Sequence, residues 1–342
     1  MHHGGPAPVR IAALPGAHDI HRRVLSNGIT LLCRSNFQSP SVHISGYLQA
    51  GGLSDPDEKL GLADFTAAAL MRGTEQFTKQ QIYDRLESCG ASLSFGAGAH
   101  TTGFSGRSLV EDLPLLVSLL AECTRQPVFP AEQVEKLRAQ LLTGLALRAQ
   151  DTGDMASLTF DAILFAGHPY ARPDEGWPET IQAIRVEDLQ RCHRSLYGPR
   201  DMVIACAGAV EAEAFFDHIA SALGDWNNPG QPPAVQLPDL KKIKRTIKRK
   251  VRIAGKSQAD LIVGTNGPSR RQADFMSASL GNSILGQFGM MGRIGEVVRE
   301  RSGLAYSAYS SLHSGIGPGS WEVSAGVNPA NVEKAIRLIR SE

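Results

Sequence analysis

At 342 residues the chain is longer than the size at which one hydrophobic core usually stops growing, so two lobes are expected. Hydrophobic residues make up 42% of it and charged residues 20%, the balance of a soluble globular protein, which excludes a disordered or membrane-embedded chain. Lysine plus arginine (35) nearly cancels aspartate plus glutamate (34), so no global field favours nucleic acid, and no run approaches the ~20 apolar residues that cross a bilayer.

The start, Met-His-His-Gly-Gly, lacks the basic and then apolar regions of a secretion signal, and residues 1–22 read as the N-terminal extension of a cytoplasmic protein. Residues 25–34 and 41–50 read as strands around a polar turn, and 61–71 as an apolar helix. Thr78 with Gln81 and Ser108 with Glu111 have capping-box spacing, so a helix is expected to start at each. Between them, 92–97 and 101–105 read as strands. The next helix, 130–150, sets Val134, Leu137, Leu141 and Leu145 on one stripe. The five cysteines (Cys33, Cys89, Cys123, Cys192, Cys206) are odd in number and lie among apolar neighbours, as reduced core thiols do. Residues 23–225 form the expected first lobe.

Residues 225–239, with Trp-Asn-Asn-Pro-Gly-Gln-Pro-Pro, continue neither a helix nor a central strand, and 226–240 is assigned as the interdomain linker. The basic run that follows, Lys241 to Lys250 with Ile243 and Ile247 inside it, reads as a solvated edge strand, or else as a surface for an anionic partner. In the second lobe, 241–342, residues 306–312 and 320–324 read as paired strands, and Gly326-Val327-Asn328 leads into a helix as Gly106-Arg107-Ser108 does in the first. That order suggests duplication, with the second copy incomplete at Glu342.

Several segments coincide with one family, in that family's order: Leu25-Ser-Asn-Gly-Ile-Thr-Leu31, Ala50-Gly-Gly-Leu-Ser-Asp55, Gly61-Leu-Ala-Asp-Phe65, Arg72-Gly-Thr74, Gly167-His-Pro-Tyr170, Gly176-Trp-Pro178, Tyr197-Gly-Pro-Arg-Asp-Met202 and Gly303-Leu-Ala-Tyr306. Over nearly its whole length the chain resembles the pitrilysin, insulinase and mitochondrial-processing-peptidase superfamily of zinc peptidases. The resemblance implies an α+β fold of two homologous lobes, of the LuxS/mitochondrial-processing-peptidase-like metallohydrolase kind, each a sheet with helices on one face.

Such enzymes carry H-x-x-E-H on the first helix, two histidines binding zinc and the glutamate polarising water, with a distant glutamate as third ligand. Here the pentapeptide is Asp64-Phe65-Thr66-Ala67-Ala68, and the third-ligand position falls on Gly144. Alanine and glycine offer neither lone pairs nor a proton acceptor, and a lone Asp64 cannot make a three-ligand site. No zinc is therefore expected on this chain. The second lobe keeps the family's R-E-x-x-G-L-x-Y segment as Arg299-Glu-Arg-Ser-Gly-Leu-Ala-Tyr306, two hydrogen-bond donors suited to a substrate carbonyl or carboxylate. Without the resemblance, Arg299 would read as paired with a local carboxylate such as Glu296 and Tyr306 as packed at a strand start. Ahead of it, Gly286, Gly289 and Gly292 resemble the glycine-rich segment with which the non-catalytic processing-peptidase subunit helps hold substrate; the plainer alternative is a helix break that lets backbones pack closely.

The resemblance thus implies a non-catalytic, substrate-binding subunit that completes the site of a zinc-bearing homologous partner in a heterodimer acting on peptides. The alternatives are a structural, core-protein-like subunit and a peptide-binding homodimer. The family's usual asparagine on its substrate-pairing strand is Ser94 here, which weakens the case for peptide binding at that edge. Asp151-Thr152-Gly153 follows a helical stripe and reads as a helix end rather than an aspartic-protease turn; Cys192 and His193, adjacent on a helix, point to different sides and form no dyad; His168 belongs to a structural turn.

Overall fold

Alternating burial along three strands fixes the first sheet. β2 (Thr30–Ser35) buries Leu31 and Cys33, β3 (Ser41–Leu48) buries Val42, Ile44 and Leu48, and β6 (Val203–Gly208) buries Ile204 and Cys206. With β1 (His21–Val24), β4 (Ser92–Ala97) and β5 (Thr102–Leu109) they make a six-stranded sheet in the order β1-β2-β6-β3-β5-β4, in which β2 and β6 run parallel and every other pair antiparallel. The computed structural model describes residues 16–241 and 243–342; most of the proposed N-terminal extension and Lys242 of the basic run lie outside them.

Helices cover the sheet's buried face. α3 (Leu113–Arg125) turns Leu116, Val117, Leu120 and Cys123 inward, and α8 (Ala212–Leu223) adds Phe215, Phe216 and Ile219. α1 (Leu62–Ala69) is buried almost all round, with α7 (Val186–Leu196) packed against it. α2 (Lys79–Ser88) starts in the expected capping box, the Gln81 N–H donating to Thr78 Oγ1 at 3.3 Å and Gln81 Oε1 accepting from the Thr78 N–H at 2.9 Å. The box expected at Ser108 does not form. Ser108 stays in β5 opposite Val42, and helix α3 begins five residues later, because pairing with β3 satisfies the backbone that a cap would have used.

α4 (Ala131–Arg148) carries the expected stripe, burying Val134, Leu137 and Leu145 and leaving Leu141 half-buried. After it, Asp151 accepts from the Asp154 N–H at 2.8 Å and starts α5 (Thr152–Leu164), so the Asp-Thr-Gly tripeptide begins a helix instead of ending one. α6 (Pro178–Ala183) precedes α7. The segment after Asp225 has no regular structure up to Gln258 among the described residues, so the basic run is not an edge strand. Its first part is tied down all the same: Asn228 donates to the carbonyls of Arg194 (3.0 Å) and Tyr197 (2.8 Å), and the buried Gln231 accepts from the Arg200 N–H (3.0 Å).

A second sheet, β7 (Ala259–Gly267), β8 (Ala305–His313) and β9 (Gly319–Val327), is antiparallel in the order β7-β9-β8. Its strand order, directions and closing hairpin match β3-β5-β4, and α10 (Val332–Ser341) follows β9 as α3 follows β5. Val323, Ala325 and Val327 pack with Ile294, Val298, Ala335 and Ile339 on one face. α5 lies on the other, with Phe160 against Gly264 and Thr152 donating to Asp260. α9 (Phe275–Asn282) is anchored through Asn282, which accepts from Trp321 Nε1 at 3.0 Å and from Ser310 Oγ, on its carbonyl, at 3.2 Å.

The compact units differ from the sequence-read lobes 23–225 and 241–342. One ends at Arg138 and resumes over Thr180–Ala234; the other takes Ala139–Glu179 with Val235–Glu342. Residues 139–179 go with the second sheet because α5 packs on β7.

Candidate functional site

α1 holds the positions of the family's first two metal ligands and general base. Its start is set by a left-handed Gly61 (φ 92°) and by the buried Asp55, whose carboxylate accepts from the N–H groups of Gly61 (3.0 Å) and Ala63 (3.0 Å). Two donors that a helix N-terminus leaves unpaired are thereby satisfied. Asp64, Ala67 and Ala68 stand at i, i+3 and i+4 and share one side of the helix, Ala67 buried and the other two half-buried. One carboxylate and two methyl groups do not fit zinc, which takes three protein ligands even in open catalytic sites. Gly144, on α4, is exposed, and a Cβ there would meet nothing within 4 Å, so packing does not dictate glycine. Among the described residues, no group of three or more His, Cys, Asp or Glu is placed to hold a metal.

Arg299 and Tyr306, seven residues apart in sequence, are brought together. The Arg299 guanidinium carbon lies 5.4 Å from the centroid of the Tyr306 ring. Arg299 sits on a wide, π-helical turn (Gly295–Arg301) that ends in a left-handed Gly303 (φ 57°), where the Gly303 N–H donates to Arg299 O (2.8 Å) and the Leu304 N–H to Val298 O (3.0 Å). Leu304 and Val298 are both buried and pin this turn to the core. The strand then bulges: Ala305 is opposite Val327 but Ala308 is opposite Ala325, so Tyr306 and Ser307 face one residue, Gly326. A bulge re-aims side chains, and Tyr306 stands 84% exposed.

The plainer alternative holds in part: Arg299 is paired with a local carboxylate, Glu300, but Tyr306 is not packed. Glu296 pairs with Arg301 instead, and Arg299 Nε faces Glu300 Oε1 at 3.4 Å, with a third of the arginine side chain open to water. An exposed pair of this kind is worth about 0–1 kcal/mol, so an incoming carboxylate or carbonyl can replace it at little cost.

The three glycines do different things. A Cβ on Gly292 would lie 2.4 Å from Gly286 Cα, and one on Gly286 would press on Ser310 and Ile294, so these two let the chain cross itself backbone to backbone. Gly289, at the tip, has φ 59° with nothing within 4 Å of a Cβ. The close-packing alternative accounts for Gly286 and Gly292, whereas the half-buried Gly289 is not held by such a contact.

The family model for insulinase (peptidase family M16) matches residues 30–169, and that for the peptidase M16 inactive domain matches residues 183–342. The chain belongs to the pitrilysin/insulinase superfamily. This M16 homologue is 24% identical, over 96% of its own length and 72% of the relative's, to an uncharacterized zinc protease of Streptomyces coelicolor. It is also 24% identical to a non-peptidase homolog, YmxG, of Helicobacter pylori, over 84% of this chain and 66% of that one. Among solved structures it is similar to a peptidase M16 inactive domain from Pseudomonas fluorescens, at a TM-score of 0.84 and 27% identity, covering 94% of this chain and 77% of the other.

Two carboxylates that hold the M16 scaffold in place carried no recognised role in the sequence. Asp55 lies in a family segment, but its capping of α1 depends on a six-residue loop closing on Gly61, outside the usual N-cap offset. Asp188, on α7, is buried and receives Lys59, Arg191 and the Arg185 N–H (2.8 Å). Burial pushes its pKa up, but these partners outweigh burial and hold it below the ordinary aspartate value. The network fastens the loop before α1 to α7. His168 is structural, its Nδ1 accepting from the Tyr170 N–H at 3.1 Å, and His193 is bound to Thr124 O at 2.8 Å, away from any cysteine dyad. No described helix is long and apolar enough to cross a membrane.

Proposed function

We propose that the chain is a non-catalytic, substrate-binding subunit of a heteromeric zinc metallopeptidase. The zinc is carried by a homologous sister chain, and this subunit contributes Arg299 and Tyr306, two donors aimed at a peptide carbonyl or C-terminal carboxylate. The reading rests on one observation. Of the α1 metal-site positions two are alanine and one is a lone Asp64, whereas Arg299 and Tyr306 are held together by a left-handed glycine and a bulge, with the phenol out in solvent. The inactive-domain family model and the non-peptidase relative support the inactive half of the proposal.

On this reading the two sheets descend from one duplicated lobe, the second having lost no part of its Arg/Tyr segment, and the site works in the cytoplasm. The experiment is peptide cleavage by a mixed complex with a zinc-bearing homologue. Tyr306→Phe removes one donor without changing shape and lowers kcat/KM by roughly 10- to 100-fold. Unchanged turnover with Tyr306→Phe and with Arg299→Ala would leave only a structural role.

A further inference from the structure

Between α3 and α8, within the first compact unit, lies a groove of about 490 Å³, a volume in the range of small-molecule sites. Its floor is apolar, since Val117 and Ala121 line it one turn apart on α3 and are only 2% and 7% exposed. Beside them stands Glu122, a carboxylate only 8% exposed. Its Oε1 accepts from the Gln76 N–H at 3.2 Å, and its Oε2 has no partner among the described residues. An ionised carboxylate has room for about four hydrogen bonds, so one drawn out of water and given a single backbone donor is far from satisfied. The arginine one turn on does not relieve it. Arg125 donates through Nη1 to Ala222 O and to Asp225 Oδ1, both at 2.8 Å, and makes no ion pair with Glu122. The Ser118 and Ser221 hydroxyls, the His218 ring and the Gln76 amide also line the groove, and none of them makes a hydrogen bond among the described residues.

We infer that this groove is a binding site for a primary ammonium group carried on a short apolar stem, with the ammonium on Glu122 Oε2 and the stem along Val117 and Ala121. Charge selects a cation, because the group left without its complement is a carboxylate and the arginine in the groove is already engaged by Asp225. The bonding pattern selects ammonium over guanidinium. A guanidinium fork grips both oxygens of a carboxylate, and here Oε1 is already held by the Gln76 N–H. An ammonium is a compact charge that needs one carboxylate oxygen and directs its other N–H groups to neutral acceptors, of which the Ser118 hydroxyl stands one turn before Glu122 on the same side of α3. The floor selects a carbon stem, since methyl and isopropyl groups gain only from covering apolar surface. The inference does not depend on the role proposed for Arg299 and Tyr306.

Calorimetric titration of the full chain with butylammonium tests it, with butanol as the uncharged probe of the same length. Butylammonium is expected to bind saturably at one site, roughly tenfold or more tightly than butanol. Glu122→Gln removes the charge but keeps the shape and an oxygen for the Gln76 N–H, and is expected to weaken butylammonium by roughly tenfold or more while leaving butanol unchanged. Ser118→Phe, at an exposed position lining the groove, fills it and is expected to abolish binding of both probes; it decides the matter if circular dichroism shows that Glu122→Gln does not fold. Nα-acetyl-lysine methylamide identifies the source of the ammonium: binding tighter than that of butylammonium assigns the groove to a lysine side chain in a peptide, and weaker binding to a free small amine. No saturable binding of butylammonium, equal affinity for butanol, or an affinity indifferent to both Glu122→Gln and Ser118→Phe would overturn the inference.

Discussion

Asp161 offers the sharpest test of how the second sheet is built. It sits on α5 over the sheet face bearing Glu322, and burial, with the Glu322 charge added, pushes its carboxyl from 3.8 up to about 6. His313 acts against this, and its own imidazole is raised by its bond to Glu322 (3.3 Å). A carboxyl whose folded pKa exceeds its unfolded one stabilises the fold while it is protonated: the contribution is complete below about pH 3.8 and is lost as the pH climbs through about 6. The gap between those values converts to at most about 3 kcal/mol, and because Asp161 keeps some contact with water we take about 1–2 kcal/mol. His313 shifts stability in the same direction, its share being present below its ordinary 6.5 and lost above its raised value. Asp161→Asn removes the charge and keeps the shape. Urea unfolding of both proteins is expected to show equal stability near pH 4 and an advantage of about 1–2 kcal/mol for the variant near pH 8. A variant that is less stable at pH 8, or one whose difference from the parent does not change with pH, would refute the placement of a destabilised carboxylate beside Glu322.

Gly303→Ala is expected to cost about 1–2 kcal/mol through backbone strain alone, since φ is 57° and a Cβ meets nothing; thermal unfolding reads it. Gly292→Ala forces a Cβ against Gly286 Cα and is expected to cost more than about 2 kcal/mol and to exceed Gly289→Ala in the same assay. Asp188→Ala leaves Lys59 without its buried partner and is expected to destabilise by about 3 kcal/mol, whereas Lys59→Ala costs less, because Arg191 and the Arg185 N–H still serve the carboxylate. Since the Asp188 pKa is depressed, its contribution is present above the ordinary aspartate value and fades as the pH falls through the folded one; acid titration of the parent and Asp188→Ala proteins is expected to converge there.

What could be read in the sequence was what short-range chemistry decides. The Thr78 box, the strands β4 and β5 and the stripe on α4 all depend on neighbours within a few residues. Ser108 shows the limit, since the same local signal lost to pairing with Val42, more than sixty residues away in sequence. The basic run alternates like a strand, yet no described strand takes it as a neighbour, and alternation alone cannot supply one. The break within α4 was invisible because one continuous helix carries residues of both compact units. At the site, the family motif pointed to Arg299 and Tyr306, but the strand they lead into bulges opposite Gly326, a register feature that no residue type announces.

The central claim, that this M16 homologue carries no zinc of its own, is tested most directly by elemental analysis of the purified chain after dialysis, with peptidase activity on an unstructured peptide measured on the same sample. Zinc far below one equivalent and no chelator-sensitive cleavage are expected. One equivalent of zinc with chelator-sensitive cleavage would contradict it, and would mean that ligands other than Asp64, Ala67, Ala68 and Gly144 assemble a catalytic centre.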